Sequence, residues 1–137
     1  MSIEKNKEIM RRWNATLNQE NWEDHIAELS QAFNTPEEAK TLFDQHREFR
    51  QAFSNYQATI DHMIAEGNKV AVFQTVRATH VGEFPYGELK GIAPTGKTLE
   101  WTEASVVTLV NGKANVNAFI ADGVSRLQQL GVLSSPQ

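Results

Sequence analysis

The first third of the chain is patterned at helical spacing. Ile3, Lys7, Met10, Trp13 and Leu17 recur three and four residues apart, which predicts a helix with one largely apolar stripe. Glu8 is placed to pair with Arg11 or Arg12 on its wet side. The polar NQEN interrupts the pattern, and a short second helix is predicted from Trp22, carrying Ile26, Leu29 and Phe33. NTPEEAK then supplies a start signal, with Thr35 as N-cap, Pro36 in the first turn and Glu38 three residues on. The helix it starts is predicted to run to about Phe53, with Leu42, Phe43, His46, Phe49 and Phe53 on one face.

After Ser54-Asn55-Tyr56 the period changes from helical to two. Two extended runs meet at Glu66-Gly67-Asn68-Lys69, a hairpin turn. Tyr56, Ala58, Ile60, His62 and Ile64 are predicted to share a face of the first run, and Val70, Val72, Val76 and His80 a face of the second. A second hairpin turns at Asn111-Gly112, with Leu99, Trp101, Glu103, Ser105, Val107 and Leu109 on one side of its first strand. From Asp122 a last helix puts Val124, Leu127 and Leu130 inward, before a loose SSPQ tail. Helices segregated from strands in this way indicate an α+β fold, expected as a single domain over residues 1–137.

Composition narrows the function. The 137 residues are 40% hydrophobic and 22% charged, and 13 Lys+Arg against 17 Asp+Glu leave a formal charge of −4. That mild acidity gives no electrostatic reason to expect nucleic acid or an anionic membrane as partner. With no cysteine, disulfides, thiolate catalysis and zinc–thiolate sites are excluded. MSIEKNKEIMRR lacks the apolar core of a signal peptide and no run approaches membrane-spanning length, so a cytoplasmic protein is expected. No H-x-H or H-E-x-x-H spacing suggests a metal site.

One motif points elsewhere. GIAPTGKT, residues 91–98, satisfies the phosphate-binding pattern G-x-x-x-x-G-K-[ST]. A phosphate cradle needs a helix after it, whose first amides and dipole hold the anion. The chain beyond Lys97 alternates, contains Trp and several Val and Thr, and predicts a strand. The eight residues are therefore expected to connect two strands, with no nucleotide.

The stretch from about Tyr56 to Leu133 resembles the SnoaL-like polyketide cyclases, also called ester cyclases, of the nuclear transport factor two-like superfamily. The resemblance is carried by IAEGNKVAVFQTVRATHVGEF, GIAPTGKTLEW, NGKANVNAFIAD and RLQQLGVL in that order and spacing. It implies a cone in which N-terminal helices pack on a curved, mostly antiparallel sheet, closed by a short C-terminal helix. It also implies one deep, mostly apolar pocket for a small organic ligand, commonly a homodimer, and ring closure by an intramolecular aldol reaction with no metal or cofactor. Such chemistry needs a base beside an acidic proton and a donor for the enolate oxygen. His80 falls where such cyclases often carry a pocket histidine, and Asp122 matches a recurrent family aspartate. The acid–base aspartate of the aromatic polyketide cyclases, however, falls on Phe119, and a pocket histidine falls on Ser105.

Three catalytic candidates follow: Asp122 through the resemblance, His80 through the resemblance and its strand phase, and Glu103 through its strand phase. Glu103 shares a strand face with Trp101 and Ser105. It is a carboxylate of raised pKa if that face is inward and an exposed glutamate if it is not. Asp122, at a strand-to-helix junction, is either catalytic or the cap of the last helix. His46 lies on an apolar stripe, as a cavity residue or a hydrogen-bonded core histidine. Tyr56, Trp101, Ser105, Asn117 and Phe119 complete the candidate substrate wall, with Asn115 and Asn117 expected in phase with Phe119. Two functions fit these residues: a cofactor-independent cyclase, isomerase or hydrolase acting on a small apolar carbonyl or ester, or a binding or dimerisation module that keeps the pocket without the chemistry.

Overall fold

The Ser2 hydroxyl accepts a hydrogen bond from the Lys5 amide and starts α1 (Ile3–Leu17) in the computed structural model, which describes residues 2–134. The buried residue of this helix is Asn6, while Ile3 is 41% exposed at its end. Its inward stripe therefore runs through Asn6, Met10, Trp13 and Leu17. A 3-10 turn (Trp22–His25) leads into α2 (Ile26–Ser30), and α3 spans Pro36–Ala52. Thr35 caps α3 as expected, accepting from the Glu38 amide at 3.2 Å. Trp22, Leu29, Phe33, Ala39 and Phe43 form a helical core against which Trp13 packs, its ring stacked 5.7 Å from Phe43.

The sequence pattern placed a short break before the first strand, but there is none. Phe53 ends α3 and begins β1 (Phe53–Glu66). β2 (Lys69–His80), β3 (Thr98–Val110) and β4 (Lys113–Ala121) come next, in one antiparallel sheet ordered β1-β2-β3-β4. Asn111 (φ 52°) and Gly112 (φ 77°) both take the left-handed conformation that a tight hairpin demands. A short α4 (Gly123–Gln129) closes the fold. The final Ser135-Pro136-Gln137 of the expected tail lie outside the described residues.

Three irregularities decide which side chains reach the helix-facing, concave side. One lies between Ser54 and Gln57, where Asn55 has a φ of 54°. The second lies between Ile60 and His62 and reverses the faces beyond it. Ile60 pairs with the inward Gln74, but His62 pairs with Phe73 and Ile64 with Ala71 on the convex side. His62 and Ile64 thus lie on the opposite face from that expected by simple alternation. The third, between Val106 and Val107, adds one residue to β4. Asn115 lies opposite Thr108, and the Asn117 Oδ1 accepts from the Thr108 hydroxyl at 2.5 Å. These amides turn to the convex face, while Phe119, opposite Ser105, stays on the concave one.

β1 is an edge strand whose outer groups need partners. The Asn18 amide supplies them at Ala58: its Oδ1 accepts from the Ala58 N–H at 2.7 Å and its Nδ2 donates to the Ala58 carbonyl at 2.8 Å. Asn14 Nδ2 adds a bond to the same carbonyl at 3.0 Å. One side chain at the end of α1 thus takes the place of a fifth strand at this point.

GIAPTGKT ends the long β2–β3 connection. The His80 amide donates to the Lys97 carbonyl, and the Gly96 amide to the His80 carbonyl, each at 2.8 Å. β3 begins at Thr98, so a strand and not a helix leaves the motif.

Replacing Asn18 by Leu strands the Ala58 N–H at roughly constant volume and leaves the carbonyl to Asn14 alone. It is expected to cost about 1–3 kcal/mol, read as a lower urea midpoint with an unchanged slope.

Candidate active site

Strand register assembles the site. Ile60, Gln74, Glu103 and Ala121 form one row across the four strands on the concave face. Ala58, Val76 and Trp101 form the row on one side; Met63, Val72, Ser105 and Phe119 form the row on the other. Period-two alternation on β3 brings Trp101 and Glu103 to the same side, and the indole bends back to its neighbour. Trp101 Nε1 donates to one Glu103 oxygen at 2.9 Å, and Gln74 Nε2 donates to the other at 3.1 Å. Each carboxylate oxygen therefore holds one donor and keeps room for another.

Burial pushes the Glu103 carboxyl above the usual carboxylate range. The Trp101 and Gln74 hydrogen bonds and the Arg126 guanidinium pull in the other direction without cancelling it. Tyr56 is 7% exposed, and burial together with the Glu103 charge holds its phenol protonated well above the ordinary range, against the pull of Arg50. Arg126 Cζ lies 5.0 Å above the Trp101 ring. A carboxylate and a guanidinium thus meet at one indole, and Phe49 packs between that indole and the Tyr56 ring.

A second polar group backs Tyr56. Arg50 Cζ lies 4.6 Å over the Tyr56 ring and 5.4 Å over Trp22, and its Nη1 donates to the Leu17 carbonyl at 2.8 Å. The same nitrogen is 3.3 Å from His46 Nε2, which acts as acceptor, while the imidazole meets Trp22 and Tyr56 edge to face. Burial and the Arg50 charge lower the His46 pKa to about 3. His46 is thus a neutral, hydrogen-bonded core histidine beside the site.

The other candidates are placed apart. His80 is wholly buried, and its Nδ1 accepts from the Thr95 amide at 3.2 Å with the Thr95 hydroxyl at 3.1 Å. Six residues of β2 separate it from Gln74, about 20 Å along the strand from the Glu103 row. It anchors the β2–β3 connection. The Asp122 carboxylate caps α4, accepting from the Ser125 amide at 3.0 Å. Ser105 is half-buried one pair along from Glu103, and Phe119 beside it is 60% exposed at the open edge of the concave face. Asn117, bonded to Thr108, turns away from this wall.

Gln74, Arg50 and Arg126 were not among the sequence candidates. Gln74 is in phase with Val72 and Val76, and Arg50 is one helical turn from His46, so periodicity carried both signals. Nothing local marked Arg126, which is buried because of what packs over it. The interior beside the row is filled by Phe49, Phe53, Phe84, Leu99 and Leu130. Two solvent-open depressions of about 480 and 520 Å³ lie elsewhere, between α3 and β4 and beside the β1–β2 turn. Among the described residues no group of three or more His, Asp or Glu is arranged to hold a metal ion, and no helix is long and apolar enough to cross a membrane.

Helices on the concave side of a four-stranded antiparallel sheet, with a short closing helix, define the nuclear transport factor two-like α+β cone. A SnoaL-like polyketide cyclase profile matches residues 7–130, and the chain belongs to that family. AclR from Streptomyces galilaeus, a proposed hydroxylase, has the same fold with a TM-score of 0.75 at 22% identity, over 99% of this chain and 87% of its own. TsrD from Streptomyces laurentii gives 0.74 at 16% identity, over 97% of this chain and 99% of its own. A SnoaL-like polyketide cyclase from Agrobacterium tumefaciens gives 0.71 at 14% identity, over 92% and 98%. No curated protein matches the chain in sequence.

The His46 shift has a signed consequence. An unfolded chain takes up this proton near pH 6.5 and the folded one only near 3. Stability linked to His46 is complete above 6.5 and falls by up to about 1.4 kcal/mol per unit below it. Urea midpoints of H46F between pH 7 and 5 are expected to fall less steeply than those of the parent protein.

Proposed function

We propose that this chain is a cofactor-independent, cyclase-type enzyme acting by acid–base chemistry on a small apolar carbonyl compound, with Glu103 as the proton shuttle. The observation that carries the proposal is the Glu103 carboxylate itself: inward, largely buried, raised in pKa, and held by one donor on each oxygen. The position implied for the family's acid–base aspartate is Phe119, opposite Ser105. Glu103 stands on the same face as the diagonal neighbour of Phe119, about 7–8 Å away by sheet geometry. In this reading the carboxylate is supplied from β3, one row over, while β4 carries Phe119.

In this mechanism Glu103 removes the proton α to a carbonyl, and the electron pair moves to the oxygen as an enolate. The Tyr56 phenol, kept protonated by burial, donates to that oxygen. The enolate carbon attacks a second carbonyl of the same molecule, a C–C bond forms, and the new alkoxide recovers the proton from Glu103. A raised carboxyl pKa suits both the removal and the return of the proton. Asp122 and His80 act in this scheme as supports, Asp122 by starting α4 and His80 by fixing the β2–β3 connection.

The convex face supports a homodimer as the working form. Ile64 (65% exposed), Phe73 (43%) and Ile120 (70%) stand on it with Ala71, Ala104, Val106 and Ala118, forming an uncovered apolar sheet surface. A second copy presents the same surface and completes a face-to-face sheet packing. A non-catalytic binding or dimerisation module remains the second reading, favoured by Phe119 and Ser105 at the family's acid–base positions.

Two measurements test these proposals. Phenylacetone in D₂O is the probe for proton abstraction: the protein is expected to accelerate α-deuteration, and E103Q to lose about 10²–10⁴ of that acceleration while keeping its fold. No acceleration by the parent protein, or full acceleration by E103Q, removes Glu103 from the chemistry and leaves the binding module. In sedimentation, F73E is expected to convert a dimer to a monomer. A monomeric parent protein rejects the face-to-face pairing.

A further inference from the structure

The Arg126 guanidinium is buried and only partly satisfied. It is 9% exposed, lies 5.0 Å over Trp101, and its Nη2 donates to Glu88 Oε1. Its Nε is buried with no hydrogen-bond partner among the described residues. An unpartnered guanidinium N–H inside a protein is costly, and one left so beside a candidate active site is a ready donor.

The partner that Arg126 does have is asymmetric. The Arg126 side chain is 11% exposed and that of Glu88 is 38% exposed. Glu88 belongs to a 3-10 turn (Gly87–Leu89) in the β2–β3 connection and not to the sheet or to α4. Its approach is made possible by Gly123, the first residue of α4: a Cβ there would lie 2.5 Å from Glu88 Oε1. A bare position on α4, a buried guanidinium and a loop-borne carboxylate therefore describe a carboxylate site filled by the chain's own side chain.

We propose that Arg126 is the binding group for an anionic oxygen on the substrate, most simply a carboxylate, which takes the place of Glu88 and docks the molecule with its carbonyl toward Glu103. Arginine suits this because its planar fork offers two parallel donors to a carboxylate. Trp101 links the two ends, since its ring lies under the guanidinium and its Nε1 holds Glu103. The substrate class is then a keto acid with an apolar body, of which a neutral ketone such as phenylacetone carries only the reacting part. This rests on the concave site proposed above but not on Glu103 being a base.

The probes are 4-oxo-4-phenylbutanoate and its methyl ester, titrated against the indole N–H signal of Trp101 in ¹⁵N spectra, assigned by its loss in W101F. The acid is expected to bind the parent protein at least about tenfold more tightly than the ester, the value of one charge-assisted pair. R126Q is expected to level the two, and E88Q, which removes the internal competitor, to tighten acid binding several-fold and leave the ester unchanged. Equal binding of acid and ester, or no acid binding at all, overturns the proposal. So does an acid preference that survives in R126Q, or an E88Q protein with no gain. If R126Q does not fold, the E88Q result decides. E103Q separates the two proposals: it is expected to keep the acid preference while losing α-proton exchange. An acid preference without exchange leaves a keto-acid binding module, and exchange without acid preference leaves a cyclase for neutral substrates.

Discussion

The join between α3 and β1 is the constraint on which the rest depends. Ala52 and Phe53 are wholly buried, and the chain passes from helix to strand there with no loop. The Ala52 carbonyl, freed at the helix end, accepts from both Val81 and Gly82 at 2.8 and 3.1 Å. Gly82 comes so close that a Cβ on it would lie 2.7 Å from the Gln51 carbonyl oxygen. The end of α3, the start of β1 and the exit of β2 are thus fastened at one point. From it the sheet curves away under the helices, and Phe53 packs its ring against Trp101, His80 and Phe84.

That fastening sets what the concave face can do. With His80 fixed beside the β2–β3 connection, the inward polar groups farther along β2 and β3 are those of the Gln74–Glu103 row. A carboxylate in such a place is expensive unless donors reach it. Trp101 and Gln74 provide one donor each, enough to keep Glu103 inside without dropping its pKa to that of a surface glutamate. The neighbouring Phe119 and Ser105 carry no charge, so Glu103 is the one carboxylate in these rows, and it feels the charge of Arg126.

Much of this was legible in the residue pattern. Thr35-Pro36 at a helix start, Asn111-Gly112 at a hairpin and the alternation from Leu99 to Leu109 each state a local backbone preference, and each element formed where that preference placed it. The faces of β1 and β4 were not legible, because an extra residue reverses a period-two pattern and nothing in the composition of IDH (60–62) or VNA (116–118) announces one. His62 and Asn117 were displaced for that reason. Residues of similar local prospect also parted company: His80 and Glu103 both sit in phase with apolar neighbours, but only Glu103 is on the row with Gln74.

The sequence by itself determined the α+β order, the caps and turns, the strand that leaves GIAPTGKT and which side chains of β3 share a face, since all of these depend on neighbours within a few residues. Only the tertiary structure decided that Glu103 faces inward with Gln74, that Arg126 is buried over Trp101, and that Glu88 crosses from another segment to meet it. The physical reason is the same throughout. Burial, pKa and hydrogen-bond partnership are set by groups distant in the chain, and a local pattern carries no record of which distant groups arrive.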